Sequence, residues 1–410
     1  MVKTTPLWNG ILLVAGGALG AGMFALPMVS AGAWIWWSTL GLFLVWGMTF
    51  VAAKLFVMVN FALIADTHNS LDHRSSFDSL VRYSLGLWWS RLNNVSIVFI
   101  MMILMYAYTS AGASIADYSL KSVGLEIDDS YRRWLSIGFA TLIAITVAFG
   151  TSLVSRVLLI FLVMMAIAFF VSALGIMPSV ELNHLTISIN APQYVLAAIP
   201  VYVTAFACAG LIPSLVRHYH AQPENVNKSL FWGSALVLFV YVLWLILTFG
   251  SIGRDGFGAV FAGGSNLGEL VTALVNNGVD NTLEIRLNIF SHCAIITSFL
   301  SVGLGLFHFI QDKLLLGDTT KQRLIAAAIC FGPPAIASFI LPYGFIYAIG
   351  FAGMFVAFSF FVLPGIMALS LKQKAVITIS NRIPLLVILF GILILGLKSA
   401  LLFSWLPTFA

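Results

Sequence analysis

The sequence predicts an all-α integral membrane protein crossing the bilayer eleven times, and three observations carry that prediction. Hydrophobic residues make up 60% of the 410-residue chain and charged residues only 9%, against about 25% charged in a soluble domain; the mean hydropathy is +1.03. Apolar runs approach the roughly 20 residues that a helix needs to cross hydrocarbon, and they do so eleven times along the chain. Alternating segments of about ten residues, the signature of a membrane β-barrel, are missing from the sequence. This composition excludes a soluble globule, a disordered chain and a collagen-like one. Cys208, Cys293 and Cys330 sit in apolar stretches without CxxC spacing, which suggests neither disulfides nor zinc. The formal charge of +5 comes from Lys and Arg scattered between apolar runs, so nucleic acid is not an expected partner. The expected partner surface is the lipid bilayer.

In order, the spans run over about 9–33, 37–63, 92–119, 133–150, 154–177, 193–215, 229–250, 285–311, 323–341, 343–369 and 383–405. Lys3 precedes the first, but its apolar core is too long and too glycine-broken for a signal-peptide h-region. It is expected to stay as a span. The second contains Lys54 well inside its apolar run, and the third carries Tyr106 and Tyr108 near its middle. The eighth holds Thr297, Ser298 and Ser301 at its centre. With the N-terminus placed in the cytoplasm, 13 Lys and Arg fall on the inner side and 6 on the outer, Lys54 completing the 20. The positive-inside bias therefore puts the N-terminus in and the C-terminus out. The longest loops cover about 64–91 inside and 251–284 outside. In the outer loop, a glycine-rich turn leads into Leu267-Gly268-Glu269-Leu270-Val271, expected to form a short amphipathic helix lying over the outer face as a lid.

Two spans are expected to be broken. The first reads Gly16-Gly17-Ala18-Leu19-Gly20-Ala21-Gly22, where four glycines weaken a helix at mid-membrane depth. The sixth runs from Pro200 through Phe206-Ala207-Cys208-Ala209-Gly210-Leu211 to Pro213. They are five positions apart in the order of spans, so they cross in opposite directions, the pattern of inverted repeats each opened by a discontinuous helix. The repeats would cover about 9–177 and 193–369 of a single domain spanning 1–410, with an extra helix over about 383–405. Unwound backbone exposes N–H groups that attract a carboxylate and C=O groups that attract an ammonium or a cation. An amino-acid zwitterion needs both. On this reading Gly17, Ala18, Gly20 and Gly22 line the first break, and Phe206, Cys208, Gly210 and Leu211 line the second. Close packing of small residues is the alternative for the same glycines.

The residues resemble those of a known family. Gly20-Ala21-Gly22-Met23 with Ala25-Leu26-Pro27, Tyr106-Ala107-Tyr108-Thr109-Ser110-Ala111-Gly112, Ile212-Pro213-Ser214-Leu215-Val216-Arg217, Thr297-Ser298-Phe299-Leu300-Ser301 and Leu363-Pro364 are similar to segments of the hydroxy/aromatic amino acid permeases. These are the bacterial tyrosine- and tryptophan-specific permeases. The resemblance covers nearly the whole chain. It implies the amino acid–polyamine–organocation superfamily, a LeuT-type fold, a bacterial inner membrane, and secondary uptake of an aromatic amino acid, tyrosine ahead of tryptophan. The coupling ion would be H⁺ or Na⁺, with no cofactor. Cys208 departs from the Gly or Ser more usual there.

Each candidate has a bland alternative. Phe206 could close over a substrate ring or simply pack in the core. Tyr106 and Tyr108 need hydroxyl partners at that depth: a substrate carboxylate, a backbone carbonyl or water. Thr297, Ser298 and Ser301 could take part in ion coupling or bond back to their own helix. Lys54 could titrate beside the first break or reach the cytoplasmic interface. Competing functions fare worse. An intramembrane enzyme would need a motif such as HExxH, GxSxG or GxGD, and an ATP-driven pump a GxxxxGK[ST] loop; the sequence contains none of these. A channel would usually be shorter, with filter-like loops.

Overall fold

A computed structural model of the chain describes residues 6–66, 76–125, 128–187, 191–207, 209–219, 222–280 and 282–409. The regular structure among them is helical throughout: α1 (Leu7–Ala18), α2 (Ala25–Ser30), α3 (Trp34–Asp66), α4 (Phe77–Leu85), α5 (Leu87–Ser122), α6 (Asp129–Ala148), α7 (Thr151–Ile176), α8 (Leu182–Thr186) and α9 (Gln193–Ala205) lead into α10 (Ile212–His218). Then come α11 (Pro223–Ala262), α12 (Leu267–Asn276), α13 (Leu283–Leu314), α14 (Thr320–Ile340), α15 (Phe345–Ala357), α16 (Leu363–Gln373) and α17 (Arg382–Leu402). Among the described residues, eight helices are long and apolar enough to cross a membrane, with α15 and α16 joined through a π-helical turn at Phe358–Val362 into one of them, or nine if the bent pair α1–α2 counts as one span. Two expected spans fall short of that test for visible reasons. α6 opens with Asp129, Arg132 and Arg133, and the sixth span is divided between α9 and the seven-residue α10. The chain is thus a multi-pass helical membrane protein.

Packing follows a regular scheme. α1 lies against α11, α3 against α9 and α10, α5 against α13 and α15, α7 against α13, and α6 against α14. Lipid offers no hydrophobic drive for these contacts, so close approach and interhelical hydrogen bonds hold them. Gly353 lets α15 ride on α9 so closely that an added Cβ would strike the Pro200 carbonyl. Thr204 Oγ1 lies 3.0 Å from the Ile349 carbonyl and fastens the same pair. Ser30 and Tyr202 hydroxyls, 2.6 Å apart and fully buried, join α2 to α9.

The inner loop is not all loop. α4 starts with a capping box, Ser76 and Ser79 each satisfying the other's backbone N–H, and packs on α5 and α16. At the opposite end of the bundle lies α12, the expected amphipathic helix. Asn266 caps it, accepting from Glu269 N–H at 3.2 Å, and Ser114 of α5 accepts from Gly268 N–H at 2.9 Å. The chain reaches α12 through a kink at Gly253, whose φ of 68° is a left-handed conformation that glycine adopts freely.

Glu269 sits partly covered against α5. Burial pushes its carboxyl above the usual glutamate range, against the pull of Lys121 and Arg132. The folded state therefore holds this proton more tightly than the unfolded chain does. The associated stabilisation is complete below the ordinary value of 4.5 and is lost as pH rises through the folded-state value. Glu269→Gln is expected to melt at a higher temperature than wild type at pH 7, with the gap closing toward pH 4.5. Thermal melts across that pH range check it.

Candidate functional site

Both expected breaks are present. α1 stops at Ala18 because Leu19 turns extended (φ −72°, ψ 123°) and Gly20 follows with φ 178°. A short 3-10 turn over Ala21–Phe24 then leads into α2, and the pair bends by 54°. In the sixth span, α9 stops at Ala205, and the chain resumes through a 3-10 turn at Ala209–Leu211 into α10. Pro213 stands in the first turn of α10, where a missing N–H costs little.

A cavity of about 390 Å³ lies between the breaks, within the ~300–1,000 Å³ common for small-molecule sites. Gly17, Ala18, Gly20 and Gly22 line it from the first break, Ala205, Ala207 and Leu211 from the second, and Tyr108 from α5. Thr297, Ser298 and Ser301 line it from α13. Leu104, Leu158, Leu162, Val302 and Ile349 supply apolar wall. The cavity runs toward the α4 end, where Leu12, Leu13, Gly17 and Ser301 are exposed. On the α12 side, rings close it off. Phe24 lies 5.0 Å from Phe290 and 5.6 Å from Trp244, centroid to centroid, and all three are buried.

The polar atoms have defined tasks. Ser298 Oγ accepts the Ala21 N–H at 2.9 Å, tying α13 to the first break, and Tyr108 lines the same cavity. Thr297 bonds back to its own helix through the Cys293 and Ala294 carbonyls, at 2.8 and 3.1 Å. Ser301 is exposed to the cavity. The N–H groups that open the Ala21–Phe24 turn are donors a helix start cannot satisfy by itself, while Ala18 and Ala205 present carbonyl ends. Donors and acceptors thus face a cavity whose remaining walls are apolar.

Not every expected residue joins it. Tyr106 turns away, its hydroxyl donating to the Leu341 carbonyl at 2.8 Å, so its partner is backbone. Phe206 is buried with its ring 5.2 Å from that of Tyr241, and neither it nor Gly210 lines the cavity. Lys54 is exposed on the outside of the bundle, its ammonium 5.8 Å from the Phe50 ring and outside the cavity lining. Cys208 lies outside the described residues. Sequence reasoning missed Tyr241 of α11. Its hydroxyl lies 2.9 Å from the Ala18 carbonyl and 2.8 Å from the Ala205 carbonyl, touching both breaks at once. A tyrosine at the centre of an otherwise apolar seventh span was the available signal.

Comparison with known proteins identifies a family. The profile of the tryptophan/tyrosine permease family matches residues 3–398. The chain is 34% identical to the tryptophan-specific transport protein of Pseudomonas aeruginosa over 91% of its own length and 88% of that protein's. It is 30% identical to the low affinity tryptophan permease of Escherichia coli K12, covering 99% of this chain and 98% of the other. Identity to the tyrosine permease of Enterobacter agglomerans is 29%, over 100% and 99% of the two chains. A match of this extent, on a chain with two broken spans around one cavity, means that the chain belongs to the tryptophan/tyrosine permease family.

Proposed function

We propose that this chain takes up an aromatic amino acid by alternating access, driven by an ion gradient. The observation that carries the reading is the single cavity shared by both helix breaks. The Gly22 N–H suits a carboxylate, the Ala21 N–H being held by Ser298 Oγ; carbonyl ends at Ala18 and Ala205 suit an ammonium, and the apolar wall suits a ring. Gly17, Ala18, Gly20, Gly22, Tyr108 and Leu211 are the proposed substrate contacts. The names of the relatives, which specify tryptophan or tyrosine, support the substrate class and a transporter over an enzyme.

The packing scheme supports two inverted repeats of the LeuT type. If each span is exchanged with the one five further on, α1 against α11 becomes α9–α10 against α3. Likewise α5 against α15 becomes α13 against α7, and the pairs α5–α13 and α6–α14 map onto themselves. The eleven spans are then the eight long helices, the bent α1–α2 pair, α6, and the divided α9–α10. The repeats cover about 9–177 and 193–369, with α17 outside them. The charge bias puts the α4 end in the cytoplasm of a cell whose inner membrane holds the protein, so the cavity described here is open inward.

The proton is the proposed coupling ion, acting near Thr297, Ser298 and Ser301. The Ala21 N–H points at Ser298 Oγ, placing a positive dipole end where sodium would need that oxygen. The test of the whole reading is uptake of labelled tyrosine and tryptophan by the purified protein in liposomes, with competitors. Aromatic amino acids are expected to displace tracer well ahead of alanine, lysine and glutamate, tyrosine ahead of tryptophan. Equal inhibition by lysine would overturn the substrate class.

A further inference from the structure

We propose that Tyr241 is a clasp that holds the two helix breaks together in the empty transporter and is relieved when substrate binds. This inference rests on the amino-acid transport reading above. The Tyr241 hydroxyl is fully buried and lies within hydrogen-bonding distance of two carbonyls, Ala18 at 2.9 Å and Ala205 at 2.8 Å. These are the last residues of α1 and α9. Both carbonyls belong to the final turns of half-helices, where no intrahelical N–H reaches them and the negative dipole ends gather. Left facing each other, the two ends repel. The phenolic proton lies between them, but a hydroxyl has only one to give. The empty state is therefore held, but incompletely satisfied.

Ala18 and Ala205 also line the cavity. A substrate ammonium arriving there brings three donors and can satisfy both carbonyls itself. The clasp is thus needed when the transporter is empty and redundant when it is loaded. That asymmetry separates two activities. Net uptake requires the empty transporter to return across the membrane with its breaks in register. Exchange of internal for external substrate cycles only the loaded form.

Tyr241→Phe keeps the ring that packs on Phe206 and removes only the oxygen. In proteoliposomes, net uptake is expected to fall about tenfold or more, on the scale of one lost buried hydrogen bond, while counterflow exchange stays within about threefold of wild type. A tyrosine that only stabilises the fold would lower both in proportion, and that result, or no effect on either, would overturn the clasp. If Tyr241→Phe does not reach the membrane, para-aminophenylalanine incorporated at 241 carries the test. Its two donors at the same place are expected to sustain wild-type net uptake, and a tenfold loss at normal abundance would overturn the proposal. Failure of the wild-type protein to transport any aromatic amino acid would instead strike the underlying functional reading.

Discussion

Gly20→Val is expected to abolish uptake while the protein still reaches the membrane. Gly20 has an extended backbone that any residue could adopt, so the obstacle is space rather than conformation. A Cβ there would overlap Ser298 Oγ, the atom that accepts the Ala21 N–H and fixes the start of the 3-10 turn. Pushing Ser298 away disrupts the first break from within. Overpacking of this kind costs about 1–3 kcal/mol, and here it falls on the geometry of the site. Gly22 provides the contrast. The atom nearest to a Cβ at Gly22 is Ala205 Cα at 4.0 Å, so Gly22→Ala is expected to fold normally and keep uptake within about threefold, well under the ~1.4 kcal/mol that a tenfold change represents. Gly22→Val adds two methyl groups between the breaks and is expected to raise KM at least about tenfold, the cost of a pocket one methylene or more too small. Labelled-substrate uptake beside immunoblots of membrane abundance checks all three. Wild-type kinetics in Gly22→Val would return that glycine to helix packing.

The broken spans were legible because glycine and proline act locally. The Gly16–Gly22 run and the Pro200 and Pro213 pair weaken a helix whatever surrounds them; the first break falls at Leu19 and Gly20 inside that run, and the second falls after Ala205, between Pro200 inside α9 and Pro213 in the first turn of α10. Thr297, Ser298 and Ser301 were legible for a related reason. Hydroxyls clustered at mid-span need partners, and the first break supplies one of them through the Ala21 N–H. What the sequence left open was direction. Tyr106 and Tyr108 are two residues apart on one helix and so face different ways. One reaches a carbonyl at the end of α14 and the other the cavity, a choice set by which helices pack on either side of α5. Lys54 shows the same limit, since depth along α3 can be counted but its outward face depends on tertiary packing. Tyr241 went unnoticed because its significance is wholly non-local, joining residues 223 and 36 positions away.

Ser298→Ala is expected to collapse gradient-driven accumulation, and it tests where coupling takes place. The substitution removes the acceptor of the Ala21 N–H, leaving a buried donor at the first break without its oxygen. An unsatisfied buried donor costs about 1–3 kcal/mol, so the accumulation ratio in proteoliposomes under an imposed pH gradient is expected to fall by roughly tenfold or more. Binding of labelled substrate should weaken far less, because the apolar wall and the Ala18 and Ala205 carbonyls are untouched. Lys54→Met is the matched control. Its ammonium lies outside the cavity lining, over Phe50 on the outside of the bundle, and the variant is expected to concentrate substrate as the wild type does. A sodium gradient alone should drive no accumulation in the wild type. If it does, the α13 hydroxyls coordinate a cation instead, and Thr297, whose oxygen keeps lone pairs beyond the proton it gives its own helix, becomes the next residue to change. If Lys54→Met loses accumulation while Ser298→Ala keeps it, coupling passes through the second span rather than the eighth.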